Sequence, residues 1–154
     1  MNAYNQYQQN QILSASAEQI LLMLYDGAIR FNRQAMKGLE EENFPAFHHG
    51  ISKSMAIITE FSNSLNHNIG GDIAENLDAL YNFMVRELTQ ANLHKNMEKL
   101  KVVDRLLVDL RATWGEAIET NSRDKIVVNR LITNSSASFA NGLPDGYVPL
   151  SISR

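Results

Sequence analysis

Proline punctuates this chain only at Pro45, Pro144 and Pro149. Inside a helix a proline removes a hydrogen bond and clashes with the preceding turn, at a cost of about 3 kcal/mol. The stretch between Pro45 and Pro144 is therefore free to form long helices, and its pattern asks for them. Apolar residues recur at spacings of three and four, while alternation at period two is hard to find. The first stripe is Ile20, Leu24, Ala28, Phe31, Ala35 and Leu39, running to about Glu42. Ser16, with Gln19 three places on, forms a capping box for its first turn. Asn43 then caps a second helix that carries Pro45 in its first turn, where a missing N–H does no harm. Its stripe is Phe44, Phe47, Ile51, Met55, Ile58 and Leu65, and Gly70-Gly71 is expected to stop it. Asp72 with Glu75 repeats the capping pattern and opens a third helix along Ile73, Leu77, Leu80, Met84, Leu88 and Ala91. After a break at residues 92–96, a heptad-like fourth stripe follows: Leu100, Val103, Leu107, Leu110, Trp114 and Ala117.

Four amphipathic helices on short connections predict an all-α fold, an antiparallel four-helix bundle over residues 16–120. Residues 1–15 read as an N-terminal capping segment lying on the bundle. Residues 124–133 (DKIVVNRLIT) are a candidate short fifth helix, although their β-branched side chains weaken the case. The rest of 121–154 reads as an irregular tail with a turn at Pro144-Asp145-Gly146. The length of 154 residues suits one domain. A folded chain of that size buries roughly 68–70% of its unfolded surface, enough for a core without covalent staples.

Composition removes several functions. There is no cysteine, hence no disulfide framework, redox pair, thiolate nucleophile or Cys-ligated metal. A formal charge of −3 with no basic stripe argues against nucleic acid as a partner. The opening MNAYNQYQQNQ lacks the basic start and apolar stretch of a secretory signal, and the longest wholly apolar run, residues 20–24, is far too short to span a bilayer. A cytoplasmic soluble domain is the expectation.

Catalytic and metal signatures fail as well. A carboxylate-bridged metal site in a bundle needs Glu-x-x-His pairs facing inward. Three places before His48, His49, His67 and His94 stand Pro45, Ala46, Ser64 and Ala91. Adjacent His48 and His49 point about 100° apart on a helix and do not converge on one metal. No P-loop spacing occurs, and Gly50-Ile51-Ser52-Lys53-Ser54 misses the nucleophile elbow at its last position. The expectation is no enzyme, no cofactor and no metal.

What remains is apolar surplus. With one core stripe per helix, Leu22, Tyr25, Ile29 and Met36 fall on a second stripe about 120° away on helix one. Phe83 points away from the third stripe with Tyr81 and Val85 beside it, and Val102 and Leu106 lie to one side of the fourth. Three accounts stand open. The chain covers this surface itself, through Tyr7, Ile12 and Leu13 or through Leu131, Phe139 and Tyr147. Alternatively the surface closes a homodimer. In the third account it is a groove for an amphipathic or extended partner segment.

Particular residues sharpen the choice. Tyr7-Gln8-Gln9-Asn10 followed by Ile12, Ser14-Ala15-Ser16, and Leu22-Met23-Leu24-Tyr25-Asp26-Gly27-Ala28 together resemble the flagellar secretion chaperone FliS family. Later segments agree in order and spacing. Ser64-Leu65-Asn66, Gly70-Gly71 and Asn76-Leu77 look like the family's loop into helix three. Leu80-Tyr81-Asn82-Phe83-Met84 resembles its "LYxYM" motif, Leu88 with Gln90-Ala91-Asn92 its "RLxxAN", and Trp114 stands where a family tryptophan is expected. The resemblance covers residues 7–118. It departs at Ala17, where the family usually has proline, and no family motif follows Thr120.

The resemblance implies a cytoplasmic export chaperone that binds the C-terminal segment of flagellin and prevents polymerisation before secretion. Other flagellar export or regulatory proteins are further partners it implies, with the chain a monomer or weak homodimer. The client path expected on helices one, three and four is Leu22, Tyr25, Ile29, Tyr81, Phe83, Met84 and Leu88, of which Met84 and Leu88 also stand on a core stripe. Tyr7 and Ile12 are expected to lie over part of that path until the client displaces them. The competing reading is a structural or interaction module whose apolar surplus forms a homodimer.

Overall fold

A computed structural model describes residues 17–120. Four helices fill them: α1 (Ala17–Glu40), α2 (Phe44–Asn63), α3 (His67–His94) and α4 (Met97–Thr120), with no strand among the described residues. Each helix packs on two neighbours, α1 on α2, α2 on α3, α3 on α4 and α4 back on α1. Cross-helix pairs show the directions. Asp26 and Arg33 of α1 bind Arg111 and Asp104 of α4, so rising numbers on one helix meet falling numbers on the other. His48 with Asn92 and Ser62 with Asp78 run oppositely in the same way between α2 and α3. The fold is the antiparallel bundle that the apolar spacing predicts. The N-terminal segment, the Ser16 cap and the fifth helix lie outside the described residues.

Local chemistry explains the turns. Asn43 caps α2, its side-chain oxygen accepting from the Ala46 N–H at 3.2 Å, and Pro45 sits in the first turn as expected. α1 closes in a Schellman arrangement: the Asn43 N–H donates to the Gly38 carbonyl at 2.7 Å and the Glu42 N–H to that of Leu39. Glu42 occupies the left-handed position, φ 56°, that glycine usually fills. Lys95 (φ 53°) repeats this at the end of α3, where the Asn96 N–H reaches the Ala91 carbonyl. The break between α3 and α4 is thus shorter than the five residues suggested by sequence.

The α2–α3 junction departs from the sequence expectation in two ways. α2 does not run to the glycine pair; it ends at Asn63 with Ser64 as its C-cap. Asn and Ser compete for backbone hydrogen bonds, and Ser62 and Asp78 pair across to α3 at this corner. The helix-breaking geometry does appear at Gly71 (φ 52°, ψ −126°), but it separates a lead-in turn from the main body of α3. Ile73 is 54% exposed instead of buried, and the core stripe of α3 is Ala74, Leu77, Tyr81, Met84, Leu88 and Ala91.

The tightest seam joins α1 to α2. A Cβ built at Gly50 would stand 2.5 Å from the Phe31 carbonyl oxygen and 2.7 Å from the Ala35 nitrogen. The two backbones therefore cross where only hydrogen fits. Ala28 and Ala35 line the same seam, and the buried Ser54 hydroxyl donates to the Ala28 carbonyl at 3.1 Å. Around it Phe47, Ile51, Ile57, Ile58, Met84, Leu88, Leu100, Val103 and Leu107 complete a continuous core.

Candidate interaction surface

α1 has neighbours on both sides, so its buried arc is wider than one stripe. That width settles where several expected surface residues lie. Tyr25 and Tyr81 are 0% and 2% exposed, and Met84 and Leu88 are fully buried. These four are core residues and offer nothing to a partner in this conformation, contrary to the surface path read from sequence. Leu22, Ile29 and Phe83 are half-buried, and Tyr7 and Ile12 lie outside the described residues.

Tyr25 and Tyr81 have a definite task inside. Their hydroxyls share a hydrogen bond at 2.5 Å, and the Trp114 indole N–H donates to the Tyr25 oxygen at 3.1 Å. Phe61 of α2 stacks on Tyr25, with ring centroids 4.5 Å apart, and leans on Tyr81 at 5.4 Å. One aromatic layer thus ties together all four helices. Burial pushes the Tyr25 phenol well above its ordinary range, with the neighbouring Tyr81 adding to the effect. Tyr81 is pushed up to about 12, again chiefly by burial. Both remain neutral near pH 7 and act as hydrogen-bonding spacers. The sequence carries a signal for this layer: phenols and an indole at helical spacing need partners when buried.

Asn32 was not singled out by sequence. It is fully buried, its side-chain NH2 donating to the Leu100 carbonyl of α4 at 2.9 Å, while its own oxygen has no partner among the described residues. A polar residue on an apolar stripe was the available sign.

Half-open apolar residues occur on every helix, Phe31, Met36, Phe44 and Met55 among them, and they line both flanks of α4. On one flank, the exposed ion pairs Asp26–Arg111 (3.0 Å) and Arg33–Asp104 (2.8 Å) bracket Ile29 of α1, with the 38%-exposed Val108 at the same level of α4. Leu22 continues this line one turn before Asp26. On the other flank, Lys99 of α4 binds Glu87 of α3 at 3.0 Å, which shows that this side of α3 turns toward α4. Phe83 and Leu80 stand one and two turns before Glu87, and Leu106 and Leu110 stand two and three turns after Lys99. All four are half-buried, and α3 and α4 pair less extensively than any other neighbours in the ring. Over residues 108–119 none is fully buried; Leu110, Trp114 and Ile118 pack on the core from its edge.

Among the described residues no group of His, Cys, Asp or Glu could hold a metal ion, and no described helix is long and apolar enough to cross a membrane. What this bundle presents to another molecule is a pair of apolar seams on either side of α4, the equipment of a helical binding scaffold. Sequence comparison identifies the kind. The profile of the family described as "Flagellar protein FliS" matches residues 1–121. The flagellar secretion chaperone FliS of Bacillus subtilis is 32% identical over 124 residues, covering 80% of this chain and 92% of that protein. The chaperones of the same name from Vibrio cholerae and Salmonella typhimurium are 34% identical over 107 residues and 35% identical over 106. They cover 70% and 68% of this chain, and 79% and 78% of their own lengths. The chain belongs to the FliS family of flagellar secretion chaperones, a chaperone family and not a family of enzymes.

Proposed function

We propose that the chain is a cytoplasmic export chaperone that holds the C-terminal segment of flagellin along the seams beside α4 and so keeps subunits from polymerising before secretion. The observation that carries this reading is the half-open apolar surface along both flanks of α4. α2 is built into the core by its glycine crossing, whereas Leu22, Ile29, Phe83, Leu106 and Leu110 stand half-open on either side of α4. An unpolymerised filament subunit has apolar stripes at its ends that would seek each other. Laying such a stripe in a seam buries it, and the entropy of ordering the segment holds the net affinity down, which suits a client that must later be released. Tyr25 and Tyr81 serve the path from beneath, as the floor that fixes the spacing of α1, α3 and α4.

Calorimetric titration with intact flagellin and with flagellin lacking its C-terminal segment tests the reading. One-to-one binding to the intact protein and none to the shortened one is expected; equal binding to both refutes it. Tyr7 and Ile12 are assigned a covering role over the path, so deleting residues 1–12 should raise the association rate for a C-terminal flagellin peptide. An unchanged or lower rate would contradict that role.

A further inference from the structure

The α3–α4 seam has a feature that a client path alone does not explain. Its apolar residues cluster toward the C-terminal end of α4: Leu80 lies level with Leu106, and the 54%-exposed Ile73 lies about one helical turn beyond the level of Leu110. The border of this end is acidic, with Asp72, Asp109 and Glu116 all exposed. From this same end the chain continues past Thr120 to Arg154, whereas the family match stops at residue 121. The first part of this extension, NSRDKIVVNRLIT, holds Ile126, Val127, Val128, Leu131 and Ile132 among Arg123, Lys125 and Arg130, with Asp124 the one acid. Apolar content and charge thus complement the seam beside which the segment begins.

We propose that residues 126–132 fold back onto the α3–α4 seam of their own chain, with Val128 and Leu131 against Phe83, Leu106 and Leu110 and the basic residues toward Asp72 and Asp109. Reach permits it. From Thr120 back to the level of Leu106 is about 21 Å along a helix rising 1.5 Å per residue. Residues 121–126 alone span about 20 Å when extended, and each later residue adds about 3.3 Å. The tether makes the contact intramolecular, so even a weak apolar match is populated at high effective concentration. Because the seam is also assigned to the client, the segment acts as a built-in competitor that the client must displace. That consequence rests on the client reading; the docking itself does not.

The test uses the full chain. It contains no cysteine, so Ser135→Cys provides a single attachment point for a spin label just beyond the segment. In the isotope-labelled, spin-labelled chain, the amide signals of Leu80, Phe83, Leu106 and Leu110 should lose most of their intensity, while those of α2 keep theirs. Val128→Asp with Leu131→Asp, both outside the bundle, should restore the lost signals. Signals undiminished at the seam, or diminished equally with the aspartates present, overturn the proposal. A second sample mixes isotope-labelled chain without spin label and spin-labelled chain without isotope. Signal loss in that mixture would assign the seam to a second copy and overturn it as well; intact signals are expected.

Discussion

The α1–α2 seam and the flanks of α4 are built from the same helix-forming alphabet to opposite ends. At Gly50 the backbones of α1 and α2 meet so closely that a methyl group has no room. At Gly115 of α4 an added Cβ would meet only the end of the Arg111 side chain, at 3.5 Å. Ser54 anchors the first region with a buried hydrogen bond; α4 has its own, from Asn32 to Leu100, but past Leu107 it is held by the ion pair to Asp26 and the edge contacts of Trp114. One half of the bundle is a fixed frame, and the other keeps apolar surface within reach of solvent. A chaperone needs both, because a client groove must stay open without the fold coming apart.

This contrast can be broken by experiment, beginning with the largest effect. Gly50→Ala should lower unfolding stability by about 3 kcal/mol in chemical denaturation, since the obstructing atoms are backbone and the helices must separate. A loss under 0.5 kcal/mol would show that the crossing yields, and the frame would not be a frame. Next comes the aromatic layer. Burial raises both phenols above 10 in the folded chain, Tyr81 to about 12, so the unfolded chain releases these protons first. Stability is therefore intact below pH 10 and falls as pH rises from 10 toward 12, by about 1.4 kcal/mol per pH unit for each tyrosine. Tyr81→Phe should flatten the slope; an unchanged slope would place the alkaline loss elsewhere. Gly115→Ala reverses the sign of the first experiment. Gly115 is half-buried with room for a methyl group, and in such a helical position alanine is favoured over glycine by about 1 kcal/mol, so the melting temperature should rise. The smallest effect belongs to Asp26→Asn. The pair with Arg111 is exposed on both sides, so its loss should cost under about 0.5 kcal/mol and vanish at high salt.

Most of the fold was legible because helices announce themselves by period, cap and proline placement. Asn43 and Pro45 were sufficient to set the start of α2, and the absence of later proline in the bundle to permit the two long helices after it. Tyr25 was misplaced for a physical reason: a stripe argument assigns each helix one partner, and in a ring each helix has two. The buried arc of α1 therefore extends from Gly38, against α2, across Ala28 to Tyr25, against Trp114 of α4. Ile73 was misplaced because, like Leu80, it lies beside the buried stripe that begins at Ala74, and spacings of three and four fit either line of residues. Leu22, Ile29 and Phe83 were legible as surplus because they stand off their own core stripes. Which surplus residues stay open depends on how far apart neighbouring helices sit, and that is set by residues distant in sequence, such as Gly50 and Trp114.

On the proposed function, the client lies in the open seams beside α4 and leaves the frame untouched. Calorimetric titration of a flagellin C-terminal peptide tests it most directly, comparing the unaltered chain, Ile29→Asp with Phe83→Asp, and a control, Thr59→Asp, on the exposed face of α2. With helical content checked by circular dichroism, the seam variant should bind at least about tenfold more weakly, a loss of about 1.4 kcal/mol, while the control binds as before. Equal affinity of the folded seam variant and the unaltered chain would contradict the account.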